Sequence, residues 1–150
     1  MATQWTAGLT DATPLPAATL NRIGAAWETW TPTLTQGVTV TKTITYAAYA
    51  QINKIVIANL SLICTSGGTA GQNIVVGLPP IAVKQTTNLA LGSGLIYDSS
   101  ANVLYNVTAQ SASSSTFISY YNVGNPIGNN PALTLASGDA IQFFLMYEAA

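Results

Sequence analysis

Histidine is absent from this sequence, and ionised side chains are nearly so: four Lys and Arg and five Asp and Glu among 150 residues. Charged residues make up 6% of the chain, against about 25% in an ordinary soluble domain. Without histidine there is no Ser-His-Asp or Cys-His arrangement and no imidazole metal site. Scarce carboxylates and amines suit general acid/base chemistry poorly. A lone cysteine, Cys64, excludes an intrachain disulfide and a thiolate metal cluster. The cations Arg22, Lys42, Lys54 and Lys84 are scattered, whereas phosphate binding needs them clustered. Mean hydropathy is +0.35, yet the apolar run 55–64 is too short to cross a bilayer. Met1-Ala2-Thr3-Gln4-Trp5 lacks the cationic start and apolar core of a signal peptide. The expectation is a non-enzymatic protein with no cofactor, no metal, no nucleic-acid partner and no membrane insertion, kept in the cytoplasm where it is made until it is assembled.

Polarity comes instead from Thr, Ser, Asn and Gln. A neutral surface rich in hydroxyls and amides suits a β-protein whose faces are largely covered by other chains. A net charge of −1 gives a free monomer little colloidal repulsion. The length suits one domain, or one domain with an arm.

Residues 1–30 differ from the rest. Thr13 is placed to cap a short helix with Pro14 at its first position. Leu20, Ile23, Trp27 and Trp30 are spaced three, four and three, which puts them on one helical face. Gly24 weakens the helix. Two readings stay open: a helix packed on its own domain, or an arm that docks on a neighbour or joins copies of the chain.

From Gly37 the period becomes two. Val38, Val40, Lys42, Ile44 and Tyr46 alternate with threonines, predicting a strand with the Val/Ile/Tyr side in the core. Asn53-Lys54 fits a tight hairpin turn, and 55–64 reads as a central strand covered on both faces. Further strands are expected at 73–78, 89–97 (bent at Gly92 and Gly94), 103–108, 116–123 and 140–147. Loops are expected at 66–71, 98–102 and 124–131. About eight antiparallel strands with these turn signals predict an all-β, jelly-roll-like antiparallel sandwich over 31–150, with the arm and its short helix in 1–30.

The remaining candidates for chemistry have plainer explanations. Cys64 reads as a small buried hydrophobe. Asp98 and Asp139 fall in turns, where Asp bonds the backbone. The Gly-rich stretch 66–71 has no Lys-Ser/Thr after it and no helix, so it is not a phosphate loop. Asn59-Leu60-Ser61 and Asn106-Val107-Thr108 match a glycosylation sequon by chance if no secretory route exists. Tyr97, Tyr105, Tyr120 and Tyr121 offer rings for stacking on sugars or for cross-strand packing. Tyr120 and Tyr121, adjacent in a strand, face opposite ways.

As an ordered set, several motifs carry a family likeness. Trp30-Thr31-Pro32-Thr33-Leu34 resembles the Trp-x-Pro-x-Leu opening of small bacteriophage tail-fibre and tail-tip β-modules. It is followed, as in them, by Tyr49 to Lys54-Ile55-Val56, by Gly77-Leu78-Pro79, and by Gly138-Asp139-Ala140-Ile141 leading to Tyr147. Asn53 stands where those modules usually have Gly, a mild change in a tight turn. Thr13-Pro14-Leu15-Pro16-Ala17-Ala18-Thr19-Leu20-Asn21 is similar to the start of many phage virion proteins. The resemblance implies a virion structural protein, usually a homotrimer. Its arm (Leu15, Leu20, Ile23, Trp27, Trp30) would dock on other virion proteins. Its outward head would meet a host glycan through residues such as Tyr97, Tyr120 and Tyr121. A capsid decoration protein and a free carbohydrate-binding module are the alternatives, with a glycan-degrading enzyme behind them.

Overall fold

The computed structural model describes residues 26–86, 89–122 and 124–150. It is all-β and antiparallel. The strands are β1 (Glu28–Thr29), β2 (Leu34–Gln36), β3 (Val38–Thr39), β4 (Lys42–Ile52), β5 (Ile55–Cys64), β6 (Val75–Gly77), β7 (Ala90–Asp98), β8 (Val103–Ser111), β9 (Thr116–Asn122), β10 (Asn125–Pro126) and β11 (Ala140–Glu148). They form one sheet in the order β1-β4-β5-β11-β7-β8-β9-β6-β2-β3, with β10 on β9. The sandwich arises because this sheet curls on itself. Phe117 of β9 meets Phe143 of β11 edge to face, ring centroids 4.9 Å apart, although two strands separate them in the sheet.

Inward side chains fill the space between the walls: Val56, Ala58, Leu60, Leu62 and Cys64 from β5, and Ile141, Phe143, Leu145 and Tyr147 from β11. Each such Leu or Phe contributes about 1.5–3 kcal/mol on leaving water. Three polar residues are also fully buried, Gln36, Ser119 and Asp139; Gln36 and Asp139 are bonded through their side chains, whereas Ser119 Oγ has no partner among the described residues. Gln36 donates through Nε2 to Leu133 O (2.7 Å) and Gln72 O (3.1 Å) and accepts from Leu135 N (2.8 Å). Asp139 accepts from Ser99 N, Ser99 Oγ and Ala136 N.

Turn chemistry fixes the hairpins. Asn53 takes a positive φ of 55° in the β4–β5 turn, a conformation Asn tolerates. In the β7–β8 turn, Asp98 Oδ1 accepts from Ala101 N, Ser100 Oγ and Ser100 N. Those bonds hold its carboxyl below the usual carboxylate range. Gly92 and Gly94 let β7 lie close to β11, since a Cβ at either would strike the carbonyl of Phe144 or Gln142.

Three expectations need correcting. The alternation 38–46 does not make one half-buried strand, because β3 ends at Thr39 and a bulge separates Ile44 from Tyr46 in β4. The extra residue, Thr45, throws Tyr46 to the other face, and Val38 and Ile44, ahead of the bulge, are exposed as well, so of the expected core side only Val40 is buried. The run 55–64 is indeed internal, between β4 and β11, but only one of its faces is sealed; Ile55 and Ile63 are exposed on the other. The helical stripe cannot run on through Trp27 to Trp30, because Glu28–Thr29 pair with Tyr49 and Ala48 of β4. The sheet therefore begins ahead of residue 31. Leu15, Leu20, Ile23 and the helix expected around them lie outside the described residues.

Candidate assembly surface

The register aligns the outward side chains of four neighbouring strands into rows. Tyr46, Ser61, Gln142 and Leu95 form one row across β4, β5, β11 and β7, and Ala48, Asn59, Phe144 and Ser93 the next. Ala50, Ile57 and Met146 follow, then Ile52, Ile55 and Glu148. Antiparallel sheets usually turn a charged or strongly polar face to water. Here Tyr46, Phe144 and Met146 are half or more exposed, at 50%, 50% and 55%. Beside Phe144 a shallow groove of about 470 Å³ is lined by Tyr46, Asn59, Ser61, Ser93, Leu95 and Gln142.

The face carries no ionised group across its middle rows. Its one ion pair stands at the border, where Lys84 Nζ meets Glu148 Oε1 at 2.6 Å and holds the Glu148 carboxyl below its usual range. A second cavity, about 770 Å³, opens there and shares Ile55 and Met146 with the face. Inside the groove, the side chains of Asn59, Ser61, Ser93 and Gln142 make no hydrogen bond among the described residues. The face thus offers protruding apolar groups and free amides and hydroxyls, with almost no charge. Chemically it is suited to being covered by a neutral surface.

The candidate residues named from sequence are not gathered into one site. Trp30 is buried in the head: its ring meets Tyr49 edge to face at 6.1 Å, and its Nε1 donates to Gly77 O at 3.4 Å. Tyr49 in turn donates to Glu28 Oε2 at 2.6 Å, a bond that, with burial, pushes the phenol up to about 12. Trp27, three residues earlier, is exposed. Tyr97 lies on the outward face opposite Leu104 and donates to Asn102 Oδ1 at 2.9 Å. Tyr120 pairs with Thr108, further along the same face. Tyr121 points the other way and packs edge to face on Tyr105 at 5.8 Å. These three tyrosines therefore form no common stacking platform. Asp98 and Asp139 are both engaged in turn bonds rather than facing each other across a groove.

Strand direction does gather the three expected loops. Stretches 66–71, 98–102 and 124–131 leave β5, β7 and β9 at the same end of the sheet. Gln36 bonds the first to the segment following the third, through Gln72 and Leu133. The chain enters β1 nearer the opposite end, beside the 53–54 turn.

No family model, characterised protein or solved structure matches this chain in comparisons of sequence and fold.

Sequence reasoning missed the outward face. The signal was present as apolar residues on both sides of 55–64 and as the adjacent pair Phe143-Phe144. Apolar residues on both sides of 55–64 predict a strand covered on both faces, whereas only one side is enclosed among the described residues.

Proposed function

We propose that this chain is a structural protein of a bacteriophage virion surface, assembled as a homotrimer and serving as a tail-fibre or tail-tip protein in host attachment. The observation that carries this reading is the nearly charge-free, half-apolar outward sheet face, which favours a life packed against neighbouring subunits. The opposed placement of chain entry and loop cluster adds support. An arm at one end could hold the particle while the loops 66–71, 98–102 and 124–131 reach outward. The motif order from Trp30 to Tyr147 supplies the phage likeness.

The test is the position of the protein on intact particles, by cryo-electron microscopy with labelled chains, together with its mass in solution. Density at the tail is expected. Density at capsid three-fold or six-fold positions would replace the tail role with decoration of the shell, and absence from particles would overturn the reading. Trp27→Ala should block incorporation while leaving the head folded, since Trp27 is exposed and outside the core. Normal incorporation would count against the arm.

A further inference from the structure

We propose that the outward face of β4, β5, β11 and β7 is the surface through which copies of this chain meet around a shared axis. This rests on the homo-oligomeric reading above and names the face that makes it.

Three observations select a second copy as the occupant. A foreign protein of ordinary composition would bring charged groups, about a quarter of its residues, against Phe144 and Met146, and burying an unpaired charge is costly. This chain's own face is the surface known to be neutral over the same span. Second, knob and hollow lie side by side: the half-exposed ring of Phe144 borders the groove lined by Asn59, Ser61 and Gln142. Around a three-fold axis the knob of one copy can enter the hollow of the next. Third, the side chains of Asn59 and Gln142 have no hydrogen-bond partner among the described residues. A carboxamide is donor and acceptor at once, so an identical amide across an axis satisfies it, which a lone Lys or Glu could not do with its own copy. Residues near a symmetry axis meet their equivalents, and Gln142 occupies the middle of its row, between Ser61 and Leu95.

The experiment uses the full chain and sedimentation velocity over a wide concentration range. The native protein is expected to be an oligomer. Gln142→Glu and Gln142→Lys, each alone, set like charges against themselves and should weaken association by about a hundredfold, with far-ultraviolet circular dichroism unchanged. Mixing the two variants should recover part of the association as mixed oligomers, because each three-fold ring then holds both signs of charge. If a Gln142 variant loses its fold, Phe144→Ser, which removes the ring without adding charge, takes its place and should also dissociate the protein. A native chain that stays monomeric, variants that associate as the native chain does, or a Glu/Lys mixture that fails to recover would each overturn the proposal. Incorporation into particles is scored separately. A monomer found on particles would sink this interface and spare the virion reading, and an oligomer missing from particles would do the reverse.

Discussion

Phe143 and Phe144 are neighbours in one strand, yet one is 3% exposed and the other 50%. The same holds along β5, where Leu62 is enclosed and Ile63 is not. Both faces of this wall carry large apolar residues, but the outer one mixes them with Asn59, Ser61, Ser93 and Gln142, while the inner positions of β5 and β11 are apolar throughout. The inner face is sealed by β9, β6 and β2, while the outer face has no covering strand among the described residues. The two faces also treat amides differently. Gln36, inside, has three hydrogen bonds; Gln142, outside, has none within the described chain. Enclosed polar groups are mostly satisfied by their own chain, Ser119 Oγ being an exception among the described residues, whereas one on an assembly face can wait for a neighbour.

The sharpest way to break this contrast is to truncate each phenylalanine. Phe143→Ala should cost about 3–5 kcal/mol, while Phe144→Ala should stay within about 0.5 kcal/mol, both by urea denaturation in dilute solution. Equal losses would mean that the outer face is already enclosed within one chain. The amides provide the next test. Gln36→Leu orphans the Gln72 and Leu133 carbonyls and the Leu135 N–H, so a loss of about 3 kcal/mol is expected at roughly 1 kcal/mol or more per group. Gln142→Leu should leave the monomer's thermal melt nearly unmoved.

A smaller effect concerns Cys64, on the inner face, whose thiol is pushed up to about 11, chiefly by burial and then by Asp139. Its folded value lies above the unfolded one, so the stability it contributes is complete below about pH 9 and is lost as pH rises toward 11. Alkylation of the native protein at pH 8 should be negligible and should become rapid in urea. The smallest effect belongs to Asp98, exposed in its turn. Its folded value is depressed, so its contribution is present above the ordinary 3.8 and fades as acid takes the pH below that. Melting curves between pH 6 and pH 2.5 should show a slight slope that Asp98→Ala flattens.

Features set by a few consecutive residues were legible. Asn53-Lys54, 98–102 and Ser137-Gly138-Asp139 are turns because Asn, Asp and Gly carry the needed backbone geometry or bond locally. Pro79-Pro80 end β6 for the same kind of reason. The site was less legible. One inserted residue at Thr45 reverses which face Tyr46 occupies, and no alternation rule marks where a bulge falls. Trp30 fits a helical stripe by spacing, but β4 offers Glu28–Thr29 a pairing edge and the core takes the indole. That Tyr120 and Tyr121 face opposite ways follows from the pleat; that β8 separates the strands of Tyr97 and Tyr120 does not follow from the sequence.

Sequence alone determined that this is an antiparallel β-protein, poor in charge, with its turns where short-range chemistry puts them, because those properties depend on residue type and near neighbours. Tertiary structure alone decided that the outer of two apolar-bearing strand faces stays uncovered by other strands, that Gln36 is bonded while Gln142 has no partner among the described residues, and that three distant loops share one end. Those outcomes depend on pairing between strands far apart in the chain, where a shift of a single residue exchanges the two faces.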